Sequence, residues 1–165
     1  MIKLHCRWQN PRHPAPKKSE LRRFADAAAG CAGLPAEPVW DLNIIFTNDT
    51  GMTRYNMELL GHEGTTDVIT YSYFDSGEPY ESGDTMVELI VNPDAAAREG
   101  AVRDGGYSRE LALYIVHGLL HSAGEDDLSD APRRRMRRRE AECMAQLAEK
   151  FDFEKLFPVN AVSEQ

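Results

Sequence analysis

The chain predicts one α+β domain spanning residues 1–165, with a small mixed sheet packed on helices. Three observations lead there. Four short runs rich in branched and aromatic residues read as strands, and helical patterns fall between them. No repeat, low-complexity segment or linker marks a second unit. At 165 residues the chain is long enough to bury a core unaided.

Ile2 to Trp8 alternates in part and reads as a first strand. Pro11, Pro14 and Pro16 make the next stretch a loop. Ser19 is the expected N-cap of a helix to about Cys31, with Leu21, Phe24, Ala25 and Ala28 on one face. Val39 to Thr47 reads as a strand, and Asn48-Asp49-Thr50 offers caps for a short helix through Leu60. A loop covers residues 61–66. Asp67 to Phe74 is strongly β in composition, and Thr85 to Asn92 is a further strand. Pro93 suits the first turn of a helix through Val102.

Ser108 is then the expected cap of a helix with almost no polar face, since Leu111 to Val116, Leu119 and Leu120 are apolar throughout. Two histidines interrupt it, His117 and His121. Residues at i and i+4 share a helix face, roughly 5–6 Å apart at Cβ, so both imidazoles can reach one ion. Ring nitrogens on a buried helix need a partner, and a metal supplies one. Gly124 can take the left-handed conformation that ends a helix, after which the chain can fold back and bring Asp127 to the same ion. Two histidines and a carboxylate leave a fourth position for water, as in hydrolytic zinc sites. The spacing is that of a zincin-like metal helix. Peptidases of that type need Glu directly after the first histidine as general base; here that residue is Gly118, so peptidase chemistry is not expected. Pro132 opens a last helix to about Lys150, with Met136, Glu140, Cys143 and Leu147 at helical spacing.

Net charge is -8, which argues against a protein that simply coats nucleic acid. The charge is uneven: residues 1–23 are basic, and six arginines crowd into Arg133-Arg134-Arg135-Met136-Arg137-Arg138-Arg139. Such patches can hold a polyanion locally or simply be solvated. No apolar run approaches the ~20 residues needed to span a bilayer. Met1 to Cys6 lacks the apolar region of a secretory signal. Cys6, Cys31 and Cys143 are odd in number and scattered, so they are expected as reduced thiols in a cytoplasmic protein.

HGLLHSAGEDD, preceded at a distance by GHEGTTDVITYSY, resembles the YbeY family of bacterial metal-dependent endoribonucleases. The family's helix motif runs H-G-x-L-H-x-x-G-Y-D-H after an upstream T-[DN]-V-[IL]-[ST]-F segment. The resemblance covers about Leu42 to Leu147. By it, His117 and His121 match the first two metal ligands and Asp126 the family's Asp. Asp127 stands where the third histidine usually stands, and it is kept as third ligand with Asp126 as the alternative. Glu125 replaces a tyrosine. Leu60 stands where the family generally has an arginine, which leaves phosphate binding to Arg54, His62 or the Arg133–Arg139 run.

The resemblance implies cleavage of single-stranded RNA by metal-activated water, in small-subunit ribosomal RNA end maturation and ribosome quality control. One zinc ion is the implied cofactor, although nickel, copper or iron suit the same donors. Single-stranded ribosomal RNA is the implied partner, with the ribosome and its proteins as further candidates and no membrane. No general base is assigned; Asp126, Glu125 and His62 are near in the motif. Val68–Phe74 is expected to line the cleft, with Tyr71 or Tyr73 available to stack on a base, although packing in the core is the commoner role for such tyrosines. The alternative is a non-catalytic ribosome assembly factor whose metal is structural.

Overall fold

The computed structural model describes residues 2–160. In chain order the elements are β1 (Ile2–Trp8), α1 (Lys18–Ala32), β2 (Trp40–Phe46), α2 (Asp49–Leu60), β3 (Val68–Ser72), a single helical turn at Phe74–Ser76, β4 (Thr85–Val91), α3 (Pro93–Gly100), α4 (Gly106–Ser122), α5 (Asp130–Lys150) and α6 (Phe153–Leu156). The sheet is mixed, in the order β1-β2-β4-β3. β1, β2 and β4 run parallel, and β3 pairs antiparallel with β4 at the edge. The expected α+β class with a small mixed sheet on helices is the observed one.

The strands form where branched and aromatic side chains can pack on both faces. In β2, Trp40, Leu42, Ile44 and Phe46 alternate inward with period two. β4 is buried on nearly its whole length, because helices lie on both sides of it. On one face, α1, α4 and α6 close a core that includes Phe24, Leu89, Leu111, Ile115, Leu119 and Phe157. Full burial of side chains of this size contributes about 1.5–3 kcal/mol each. On the other face, α2 lays Met52 and Tyr55 over Ile69, Tyr71 and Ile90.

Two caps differ from expectation. α1 begins at Lys18 after Lys17, with no side-chain cap, so Ser19 lies inside the helix. α4 begins at Gly106 after a left-handed Gly105, and the buried Ser108 instead donates to the carbonyl of Phe157 at 2.6 Å. The hydroxyl is used to fasten α6, an element too short to leave a periodic signal. Asn48 does cap α2, accepting from the Gly51 amide at 2.8 Å, and Pro93 opens α3 behind the cap of Asn92. β3 stops at Ser72, two residues short of the expected end, where the chain bends into the turn at Phe74.

Candidate metal centre

α4 lies against the sheet because residue 118 has no side chain. A Cβ there would sit 2.6 Å from Leu89 Cδ2 and 2.9 Å from Thr70 Oγ1, inside any real contact, and Leu89 is fully buried. Gly118 therefore sets how closely the histidine-bearing helix approaches β3 and β4. The glutamate that peptidase chemistry would require here would drive its Cβ into the Leu89 and Thr70 side chains.

At its end α4 closes with a Schellman arrangement. Gly124 is left-handed (φ 102°), its amide donates to the His121 carbonyl, and the Glu125 amide donates back to Leu120. The reversal carries residues 125–127 back alongside the helix. Asp127 Oδ2 arrives 3.9 Å from His117 Nε2 and 3.8 Å from His121 Nε2, while the two Nε2 atoms are 3.0 Å apart. Bonds of about 2.0–2.2 Å to a tetrahedral ion separate ligand atoms by roughly 3.3–3.5 Å, so this triangle fits one divalent cation after small shifts. The donor set of two imidazoles and a carboxylate suits zinc and accepts other divalent transition metals.

Asp126 does not join the group. Its Oδ1 accepts from the Leu128 amide at 3.2 Å, which steadies the turn that aims Asp127. Glu125 pairs with Arg135 at 3.1 Å.

Glu140, on α5, completes the arrangement. Its carboxylate accepts a short hydrogen bond from His117 Nδ1. That bond fixes the tautomer, leaving the Nε2 lone pair facing His121 and Asp127, as carboxylates behind metal-bound histidines commonly do. Burial pushes the His117 imidazolium pKa down, but the bond and charge of Glu140, aided by Asp67 and Asp127, outweigh it and raise the value. The sequence placed Glu140 only among residues at helical spacing in α5. The available signal was a carboxylate on the stripe that otherwise carries Met136, Cys143 and Leu147, where an unpaired charge would be costly.

A cavity of about 760 Å³ opens beside the three ligand atoms, lined by the loop and edge strand Thr66 to Thr70 and by Ser72, Leu60, His62 and Leu128. The loop is held from below. Buried Asn92 donates to Asp49 Oδ1 (2.8 Å), Thr65 Oγ1 (3.1 Å) and the Thr66 carbonyl (3.2 Å), and Asn56 donates to the Gly64 carbonyl at 3.0 Å. Arg98 bonds Asp49 in turn and holds its carboxyl below the usual carboxylate range.

Several expected residues resolve differently. Thr66, Asp67, Val68, Thr70 and Ser72 do line the cavity, but Tyr71 and Tyr73 do not. Alternation along β3 sends both tyrosines toward the opposite face, where they border a separate cleft with Tyr55 and Leu59. Of the proton-accepting candidates Asp126, Glu125 and His62, only His62 lines the cavity, and Asp67, which is not among those three, joins it. Leu60, which the resemblance sets against an arginine, lines this same cavity, and Arg54 is not among the described residues that line it. The three cysteines are free thiols. Among the described residues no helix is long and apolar enough to cross a membrane.

Residues 10–148 match the family described as Endoribonuclease YbeY. The chain is 30% identical over 138 residues to Endoribonuclease YbeY of Geobacter sulfurreducens, covering 82% of this chain and 89% of that protein. It is 33% identical over 130 residues to the Endoribonuclease YbeY of an Anaeromyxobacter strain, covering 79% of this chain and 66% of that one. The solution structure of TM1509 from Thermotoga maritima shares the fold, with a TM-score of 0.55 and 18% identity over 90% of this chain and 93% of that one. With a matched segment that contains the histidine helix, its closing turn and Glu140, the chain belongs to the YbeY endoribonuclease family.

Proposed function

We propose that the protein is a single-strand-specific metallo-endoribonuclease, holding one divalent cation, zinc first, on His117, His121 and Asp127. We further propose that it acts in the cytoplasm on ribosomal RNA, in 3′ end maturation of 16S RNA and in ribosome quality control. The observation that carries the nuclease reading is the convergence of three ligand atoms within 4.8 Å of one another at the wall of an open cavity. Family membership supplies the substrate class.

A divalent cation in this position supplies Lewis acidity toward a phosphodiester and lowers the pKa of water. The chain's own groups supply the rest. Glu140 keeps His117 in the tautomer that presents Nε2 to the site. Asp127 adds negative charge to the donor set, and its carboxylate is aimed by the turn that Asp126 closes. Asp67 and His62 are the side chains beyond the ligand group that line the cavity and can take a proton. Thr66 and Thr70 add polar atoms to the wall along which a strand would lie.

The test is metal analysis of the purified protein together with cleavage of an unstructured RNA. One equivalent of metal and chelator-sensitive cleavage are expected, and Asp127→Asn should lose cleavage while its circular dichroism spectrum is unchanged. A metal-loaded chain that leaves RNA whole, and that unfolds when the metal is chelated, sinks the enzyme reading in favour of a structural metal in an assembly factor.

A further inference from the structure

The cavity at the ligand group presents Asp67 and Asp127, and among the described residues no lysine or arginine lines it. Exposed Leu60 and Leu128 stand there as well. Apart from the proposed cation at the scissile phosphate, a polyanion entering this space meets carboxylates and apolar surface, so the positive charge that holds its flanks lies outside.

α5 supplies it. At the near end, Arg133 Nε donates to the Asp127 carbonyl at 3.3 Å and its Nη1 pairs with the exposed Asp130 at 3.3 Å, placing its guanidinium beside the ligand turn. Two arginines further along are spent on the fold: Arg135 on Glu125, and Arg139 on Glu142 and the Cys31 carbonyl. Arg134, Arg137 and Arg138 are exposed and, among the described residues, have no ion pair or hydrogen bond. Spacings of three and four put them on one helix face, where like charges repel and cost the helix stability. Arg134 and Arg138 lie about 6 Å apart along the axis, on the scale of successive phosphates in an extended strand. Each guanidinium offers a planar fork that matches phosphate oxygens.

We propose that Arg134, Arg137 and Arg138 form a phosphate track for the flank of a single-stranded RNA, continued to the ligand group by Arg133. The proposal rests on the nuclease reading and deepens it, naming where the substrate backbone lies beyond the cleavage point.

The test is binding of a labelled, unstructured oligoribonucleotide to the full chain across a salt series, read by fluorescence anisotropy, with Asp127→Asn as background so that RNA stays whole. Replacing the three arginines by glutamine should weaken binding at least tenfold at ~0.1 M salt. It should also flatten the slope of log K against log salt by about 2, at roughly 0.7 per contacted phosphate. Replacement by lysine should restore the slope. Circular dichroism and metal content of the glutamine variant should match the parent. An unchanged affinity and slope overturn the proposal, as they would if this face docks an acidic protein. Cleavage separates the two claims. A wild-type chain that cuts no RNA sinks the nuclease reading and leaves an arginine-dependent slope standing. A chain that cuts RNA with an arginine-indifferent slope sinks only the track.

Discussion

Helix α4 buries eleven of its seventeen residues, whereas α5 buries four of its twenty-one. Both reach His117, one by carrying it and the other by setting Glu140 behind it. α4 is a core element whose chemistry is local: its two histidines are a turn apart and its ending glycine is three residues further on. α5 is a surface element fixed by a narrow stripe, and its contribution comes from packing across 23 residues of chain. The comparison teaches that in this candidate site one helix sets the histidine spacing and another sets the histidine orientation. The second can be almost entirely solvated.

The contrast is most easily broken by truncation. Ile115→Ala, in the fully buried centre of α4, should destabilise the fold by about 2–5 kcal/mol, read as a fall in the denaturant midpoint. Arg138→Gln on α5 should stay within about 0.5 kcal/mol. Equal losses at both positions would mean that α5 is a core helix in all but appearance.

Glu140→Gln sharpens the same comparison. It keeps the shape but removes the anionic acceptor behind His117, so metal affinity should drop about 10–100-fold. Competition against a chromophoric chelator would measure it. An unaltered affinity would leave α4 as sole architect of the site.

The smallest expected effect is a pH dependence within α4. Glu110 is buried there, and burial raises its carboxyl pKa against the opposing pull of Arg103. Because the folded value is the higher one, its contribution to stability is fully present below the ordinary glutamate range and is lost as pH rises through the folded value. The melting temperature of the wild type relative to Glu110→Gln should therefore climb as pH falls from neutrality toward 4. A constant difference across that range would show that burial does not govern this carboxyl.

What could be read without coordinates follows the same division. The strands, the order of elements, the histidine pair and the Gly124 reversal rest on spacing within a few residues, and all were legible. Asp127, and not Asp126, comes near the histidines, because the reversal at Gly124 turns the chain back. Glu140 was not recognised, since nothing in residues 130–150 says which carboxylate meets a histidine on another helix. Alternation tells that Tyr71 and Thr70 take opposite faces, but not which face holds the cavity, so the side of the tyrosines was not legible. Ser19 and Ser108 looked like caps, yet a hydroxyl near a helix start is equally free to bond elsewhere, as Ser108 does with Phe157.

Gly118 has a consequence for what this scaffold can become. A glutamate in its place would be the general base of a zinc peptidase. That substitution drives new atoms into the fully buried Leu89 and into Thr70. Directed evolution toward amide hydrolysis would have to thin the sheet beneath the helix before it could gain the acid, and each intermediate would bear the cost without the activity.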